Sequence, residues 1–162
     1  MSRAFPALAA ALALAGCSAY RLGGPEPIFR DIDLAPARSE VARPGALPAM
    51  DQALRAALAA ERRLQMRPGG ARLEVVVTGY ERSAATRSRD DALVAGRYRI
   101  TLRAKATLRS ADGRRTAFVD RAFEAHGVLE ATGDLAGEES RLLPRLASEI
   151  AVQVRDASIG AW

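Results

Sequence analysis

The chain has 162 residues, a formal net charge of +5 and 49% hydrophobic residues, enough for one core of ordinary size. Its single cysteine excludes an internal disulfide, and its single histidine, with no Cys/His/Asp/Glu cluster at ligand spacing, speaks against a metal site. The basic residues are nearly all arginine, Lys105 being the sole lysine, and no nucleic-acid motif or nucleic-acid partner is implied.

Arg3 precedes a short apolar run over residues 7–13, followed by Leu14-Ala15-Gly16-Cys17. A positive start, an apolar centre and a small-residue cleavage site make residues 1–16 a secretory signal peptide. The run is shorter than the roughly 20 apolar residues that span a bilayer. The cysteine directly after the small residues resembles the lipobox of bacterial lipoproteins, in which Cys17 is lipidated and becomes the new N-terminus. Each buried CH₂ adds about 0.8 kcal/mol, so several acyl chains together anchor stably. Ser18 follows the cysteine, and the lack of aspartate there resembles lipoproteins sorted to the outer membrane. Residues 17–27 hold Gly23-Gly24, Pro25 and Pro27 and read as a lipidated tether. Residues 28–162 are expected to form one α+β domain.

Within that domain residues 28–34 alternate, Ile28, Arg30, Ile32 and Leu34 against Phe29, Asp31 and Asp33, which predicts a first strand. Residues 35–48, with Pro36, Pro44 and Pro48, read as a loop. Residues 50–65 predict a helix with Met50, Ala53, Leu54, Ala57 and Leu58 on one stripe, ended by Pro68-Gly69-Gly70. Residues 72–82 predict a strand with Leu73, Val75 and Val77 on one face and Glu74, Val76, Thr78 and Tyr80 on the other. Residues 83–91 are polar without period and read as an exposed loop.

Residues 93–109 give the clearest strand: Tyr98, Ile100, Leu102, Ala104, Ala106 and Leu108 alternate with Arg97, Arg99, Thr101, Arg103, Lys105, Thr107 and Arg109. Asp112-Gly113 signals a hairpin. The return strand is expected over residues 115–128, with Val119 and Phe123 on one face and Phe118 on the other. Residues 129–137 read as a loop. Residues 138–158 predict the last helix, with Leu142, Leu143, Leu146, Ile150 and Val154 at helical spacing, Glu138 and Glu139 at its positive end, and Pro144 near its first or second turn. Strand, helix, three strands, helix implies an α+β two-layer sandwich: a four-stranded mixed sheet with both helices on one face.

The cationic row of residues 97–109 is the sharpest chemical feature. Residues two apart on a strand stand about 6.5–7 Å apart on one face, and arginine binds phosphate bidentately. Arg87 and Arg89 precede the row. Arg87, Arg89, Arg97, Arg99 and Arg103 are therefore candidates for lipid-phosphate binding. The competing reading is a solvated face with cross-strand ion pairs, for which Glu74, Glu81, Asp120 and Glu124 could supply partners. His126 has no Ser/His/acid spacing around it, Asp90-Asp91 has no ligand loop around it, and no cofactor or enzymatic activity is implied.

The lipobox cysteine followed by Tyr20-Arg21-Leu22-Gly23-Gly24, the leucine- and arginine-bearing helix, the Arg97-Tyr98-Arg99-Ile100 strand, the Asp112-Gly113 hairpin and a terminal amphipathic helix ending near Trp162 come in a telling order. Together they resemble the outer-membrane lipopolysaccharide-assembly lipoproteins of the LptE type. The resemblance implies a lipid-anchored protein on the periplasmic side of the outer membrane that binds lipopolysaccharide. It also implies a role as plug and assembly aid of a large β-barrel partner of the LptD type. Basic residues in the loop before the third strand would touch lipid, matched here by Arg87 and Arg89. A second basic position near the start of the last helix has no basic counterpart here: Ala136-Gly137 occupy that region, and Arg141 is the nearest cation. An auxiliary lipoprotein of a lipid-transport ABC system stays open as the alternative.

Overall fold

A computed structural model of the protein describes residues 26–87, 95–130 and 134–160. The elements in chain order are β1 (Asp31–Leu34), β2 (Arg38–Ser39), α1 (Ala46–Ala59), β3 (Gln65–Met66), β4 (Ala71–Arg87), β5 (Ala95–Arg109), β6 (Thr116–Glu130) and α2 (Leu135–Ser158). The fold is α+β with a mixed sheet. That sheet has six strands in the order β3-β1-β4-β5-β6, with β2 also on β4, where the sequence implied four.

The two extra strands are two residues each. β3 runs parallel to β1, and β2 runs parallel to β4. Neither is long enough to show a period of two, so they are set by backbone pairing and not by side-chain pattern. β1 and β2 each run parallel to β4, while β4, β5 and β6 form antiparallel pairs.

Helix α1 begins at Ala46, ahead of the expected start at residue 50, because Pro48 sits in its first turn. There the missing N–H has no partner to lose. It stops at Ala59 instead of running to residue 65. Just beyond, Glu61 folds back onto Arg63, and Gln65 donates its N–H to the Arg30 carbonyl, drawing the chain into the sheet. Its buried residues include Met50, Ala53, Leu54, Ala57 and Leu58, the expected stripe.

Helix α2 starts at Leu135, three residues before the expected position, and runs through Pro144. Asp134 caps it, its side chain accepting from the Gly137 N–H at 2.9 Å. Its Leu143, Leu146, Ile150 and Val154 join Leu54, Leu58, Leu73, Val75, Ile100, Leu102 and Leu108 among the buried residues. The helix presses on β6 at Gly127, where a Cβ would come within 2.6 Å of Leu142.

The β5–β6 turn is the expected hairpin, with Gly113 at φ +70° and the Gly113 N–H bonded to the Ser110 carbonyl. The loop expected over residues 83–91 is strand as far as Arg87, which pairs with Ala95. Residues 88–91, Asp90-Asp91 included, lie outside the described residues.

Two bulges overturn face assignments made by simple alternation. The β4–β5 register shifts between Val77 and Gly79, so Tyr80 falls opposite Leu102 and packs against the core. It does not share the solvent face with Glu74. On β6 two residues, Val119 and Asp120, stand opposite the single residue Thr107. Phe118 therefore pairs with Leu108 and Phe123 with Ala104, and their rings meet edge to face at 6.3 Å. Val119 is exposed. The two phenylalanines thus share a face because one extra residue resets the alternation.

Candidate functional site

Strand β5 carries Arg97, Arg99, Arg103, Lys105 and Arg109 exposed on one face. The period of two puts them there, and the buried Ile100, Leu102, Ala104, Ala106 and Leu108 fix the register that keeps them there. Arg103 is clamped from both sides. Its Nη1 lies 3.0 Å from Glu81 on β4, and its Nε 2.8 Å from Glu124 on β6. The Glu124 and Glu81 carboxylates raise the Arg103 pKa above its usual value. Arg97 pairs with Glu130 at 2.8 Å.

Two of the expected acids go elsewhere. Glu74 binds Arg72 at 2.7 Å and Arg38 at 3.5 Å, and the Arg72 guanidinium lowers the Glu74 pKa. Asp120 donates its N–H to the Thr107 hydroxyl at 3.0 Å. Among the described residues, Arg99, Lys105 and Arg109 have no carboxylate within ion-pair distance.

His126 sits on the same face. Its Nε2 lies 2.8 Å from Glu124 Oε1, and its Nδ1 lies 3.1 Å from the Thr101 hydroxyl. The tautomer protonated on Nε2 satisfies both contacts, with Thr101 donating. An open groove of about 570 Å³ adjoins this network, lined by Arg99, His126, Gly127, Val128 and Arg145. Of the candidate lipid residues, Arg97, Arg99 and Arg103 share this face. Arg87 ends β4 opposite Ala95, while Arg89 and the lipidation candidate Cys17 lie outside the described residues.

A second charged cluster was not visible in the sequence. Glu139 is 4% exposed. Arg43 reaches its carboxylate at 2.6 Å and Arg82 at 2.9 Å. The Arg43 guanidinium lies 4.6 Å from the centre of the Tyr80 ring, and that of Arg82 lies 5.3 Å from the centre of the Tyr98 ring. Burial, with the Glu139 carboxylate adding to it, pushes the Tyr80 hydroxyl up to about 12; this buried oxygen makes no well-aligned hydrogen bond. The sequence showed Glu139 only as an acid at a helix start. The bulge before Gly79 is what turns Arg82 towards it. The cluster ties the chain before α1 and β4 to the first turns of α2.

Comparison with known proteins gives both a fold and a family. Lipoprotein B from Nitrosomonas europaea superposes with a TM-score of 0.59 at 14% identity, over 86% of this chain and 90% of that one. A minor lipoprotein from Acinetobacter baumannii gives 0.56 at 12% identity, over 83% and 93%. A protein from Xanthomonas campestris gives 0.59 at 12% identity, over 87% and 89%. At these identities the likeness is one of fold. No curated protein sequence matches the chain significantly. The family model "LptE: Lipopolysaccharide-assembly" matches residues 29–158. The chain therefore belongs to the LptE family and is, at the level of that family, a non-enzymatic lipopolysaccharide-assembly lipoprotein.

Proposed function

We propose that the protein is anchored by a lipid on Cys17 at the periplasmic side of the outer membrane. Residues 1–16 are its signal peptide, residues 17–27 its tether and residues 28–162 a single domain. There it serves a β-barrel translocon of the LptD type as plug and assembly partner. It binds lipopolysaccharide through a basic area made by Arg87, Arg89, Arg97, Arg99 and Arg103. The family match over residues 29–158 carries this reading. The exposed cationic row on β5 supports the lipid part of it.

Two measurements test it. Affinity capture of the tagged protein from solubilised outer membrane should bring down a large β-barrel protein. Capture of an inner-membrane transport ATPase complex in its place would reject the barrel partnership. The double change Arg87→Glu with Arg89→Glu should weaken lipopolysaccharide binding by about tenfold or more, since charge-assisted hydrogen bonds contribute roughly 1.5–3 kcal/mol each. Equal affinity at low salt, with unchanged circular dichroism, would reject the role of that segment.

A further inference from the structure

Strand β6 ends the sheet, with β5 on one side and, among the described residues, no strand on the other. Helix α2 covers part of this outer edge: Gln153 Nε2 donates to the Glu124 carbonyl at 2.9 Å. The backbone groups of Glu124 thus turn away from β5. In a regular antiparallel pair this orientation repeats every second residue, and the register from Arg103↔Glu124 to Arg97↔Glu130 is unbroken. The N–H groups of His126 and Val128 therefore also face outward, beyond the reach of Gln153.

The groove lined by Arg99, His126, Gly127, Val128 and Arg145 lies over this stretch of edge. Arg99 approaches from the solvent face of the sheet and Arg145 from α2. Neither of its cations is strongly held. Arg99 has no carboxylate partner among the described residues, unlike Arg97 and Arg103 on the same row. Among the described residues Arg145 has only Glu149, at 3.5 Å, with both side chains exposed, and pairs of that kind contribute little. Glu124 is occupied by Arg103 and His126, and Glu130 by Arg97. Val128, 55% exposed, adds an apolar surface beside the two guanidiniums.

We infer that this groove seats a phosphate group on the headgroup of an amphiphile. Arg99 and Arg145 grip it from the two sides of the sheet edge, and the outward N–H groups of β6 donate to its oxygens. Val128 carries the adjoining apolar part of the ligand. The ligand class rests on the lipopolysaccharide reading above. The inference adds Arg145 and the β6 edge, and makes Arg99 the strand cation that matters most.

The test uses the mature, lipidated protein in detergent at low salt, with intact lipopolysaccharide, phosphatase-treated lipopolysaccharide and phosphatidylglycerol vesicles as probes. Arg99→Gln with Arg145→Gln should lower affinity for intact lipopolysaccharide by about tenfold or more. Arg55→Gln with Arg114→Gln, which removes the same charge elsewhere, should change it less than about twofold. Phosphatase treatment should cost the wild type about as much affinity as the double substitution does, and should cost the groove variant little, because both changes delete one contact. An equal loss on phosphatidylglycerol vesicles supports the seat and extends its ligand to phospholipid; a loss confined to lipopolysaccharide assigns it to that glycolipid. If the groove variant keeps wild-type affinity with an unchanged melting curve, while Arg87→Glu with Arg89→Glu loses binding, the groove inference falls and the lipopolysaccharide reading stands. If wild type binds none of the probes, both fall.

Discussion

Glu61 shows how one residue can make stability depend on pH. Its Oε1 accepts from Arg63 Nε at 2.9 Å and from the Arg63 backbone N–H at 3.1 Å, while Oε2 accepts from Nη2 at 3.1 Å. The Arg63 side chain, then its backbone N–H, holds the carboxyl down at about 2. A carboxyl whose pKa is lower folded than unfolded favours folding only where it is ionised. The contribution is complete above the unfolded value of about 4.3 and is lost as pH falls towards 2. Glu61→Gln should therefore flatten the fall in melting temperature between those limits and lower stability near neutral pH. Parallel wild-type and variant curves across that window would reject the coupling. Glu139 is the buried counterpart. Glu139→Ala strands the Arg43 guanidinium, which is 25% exposed, and frees Arg82, which is 49% exposed. Breaking a fully buried pair costs about 3–5 kcal/mol, and the exposure of Arg82 places this site at the lower end. A loss below about 0.5 kcal/mol in denaturant unfolding would mean the cluster holds nothing together.

At the scale of elements, what the sequence revealed is what periodicity encodes. Met50, Leu54 and Leu58 mark α1, Leu146, Ile150 and Val154 mark α2, and the arginine row marks β5. Ile150 is fully buried, so Ile150→Ala should cost about 2–5 kcal/mol. What stayed hidden has no period: the two-residue strands β2 and β3, and the bulges at residue 78 and at 119–120. Asp120 sits at φ +47°, the only non-glycine residue with positive φ among the described residues. The Thr107 hydroxyl holds its N–H there. A β-branched residue resists that conformation, so Asp120→Val should destabilise by about 1–3 kcal/mol, whereas Asp120→Gly should be nearly neutral. Equal stability of the two variants would show that the bulge does not depend on residue 120. The candidate site was legible to the same degree. Strand alternation exposes Arg97, Arg99 and Arg103 and makes Glu81 and Glu124 eligible partners. It cannot tell that Arg99 stays without one, because that depends on which acids the neighbouring strands bring into register. Arg145 was invisible, since neither the helix period nor the strand period records where α2 docks on β6.

For the whole molecule, the question is what holds it at a membrane. Among the described residues no helix is long and apolar enough to cross one. Besides the proposed barrel partner, two forces remain in view: attraction of the chain to anionic headgroups, its net charge of +5 falling to +4 once Arg3 leaves with residues 1–16, and the proposed lipid on Cys17. They respond differently to salt. At 1 M ionic strength the screening length falls to about 3 Å, which removes attraction between exposed charges. Buried acyl chains are untouched by screening, at about 0.8 kcal/mol per CH₂. Wild type should therefore stay in the membrane pellet through a 1 M salt wash. Cys17→Ser should leave with the wash, or accumulate as an uncleaved precursor, and should lose palmitate labelling. Release of wild type by salt alone would make charge the anchor. Unchanged labelling of Cys17→Ser would place the lipid on some other residue, and the chain has no second cysteine to receive it.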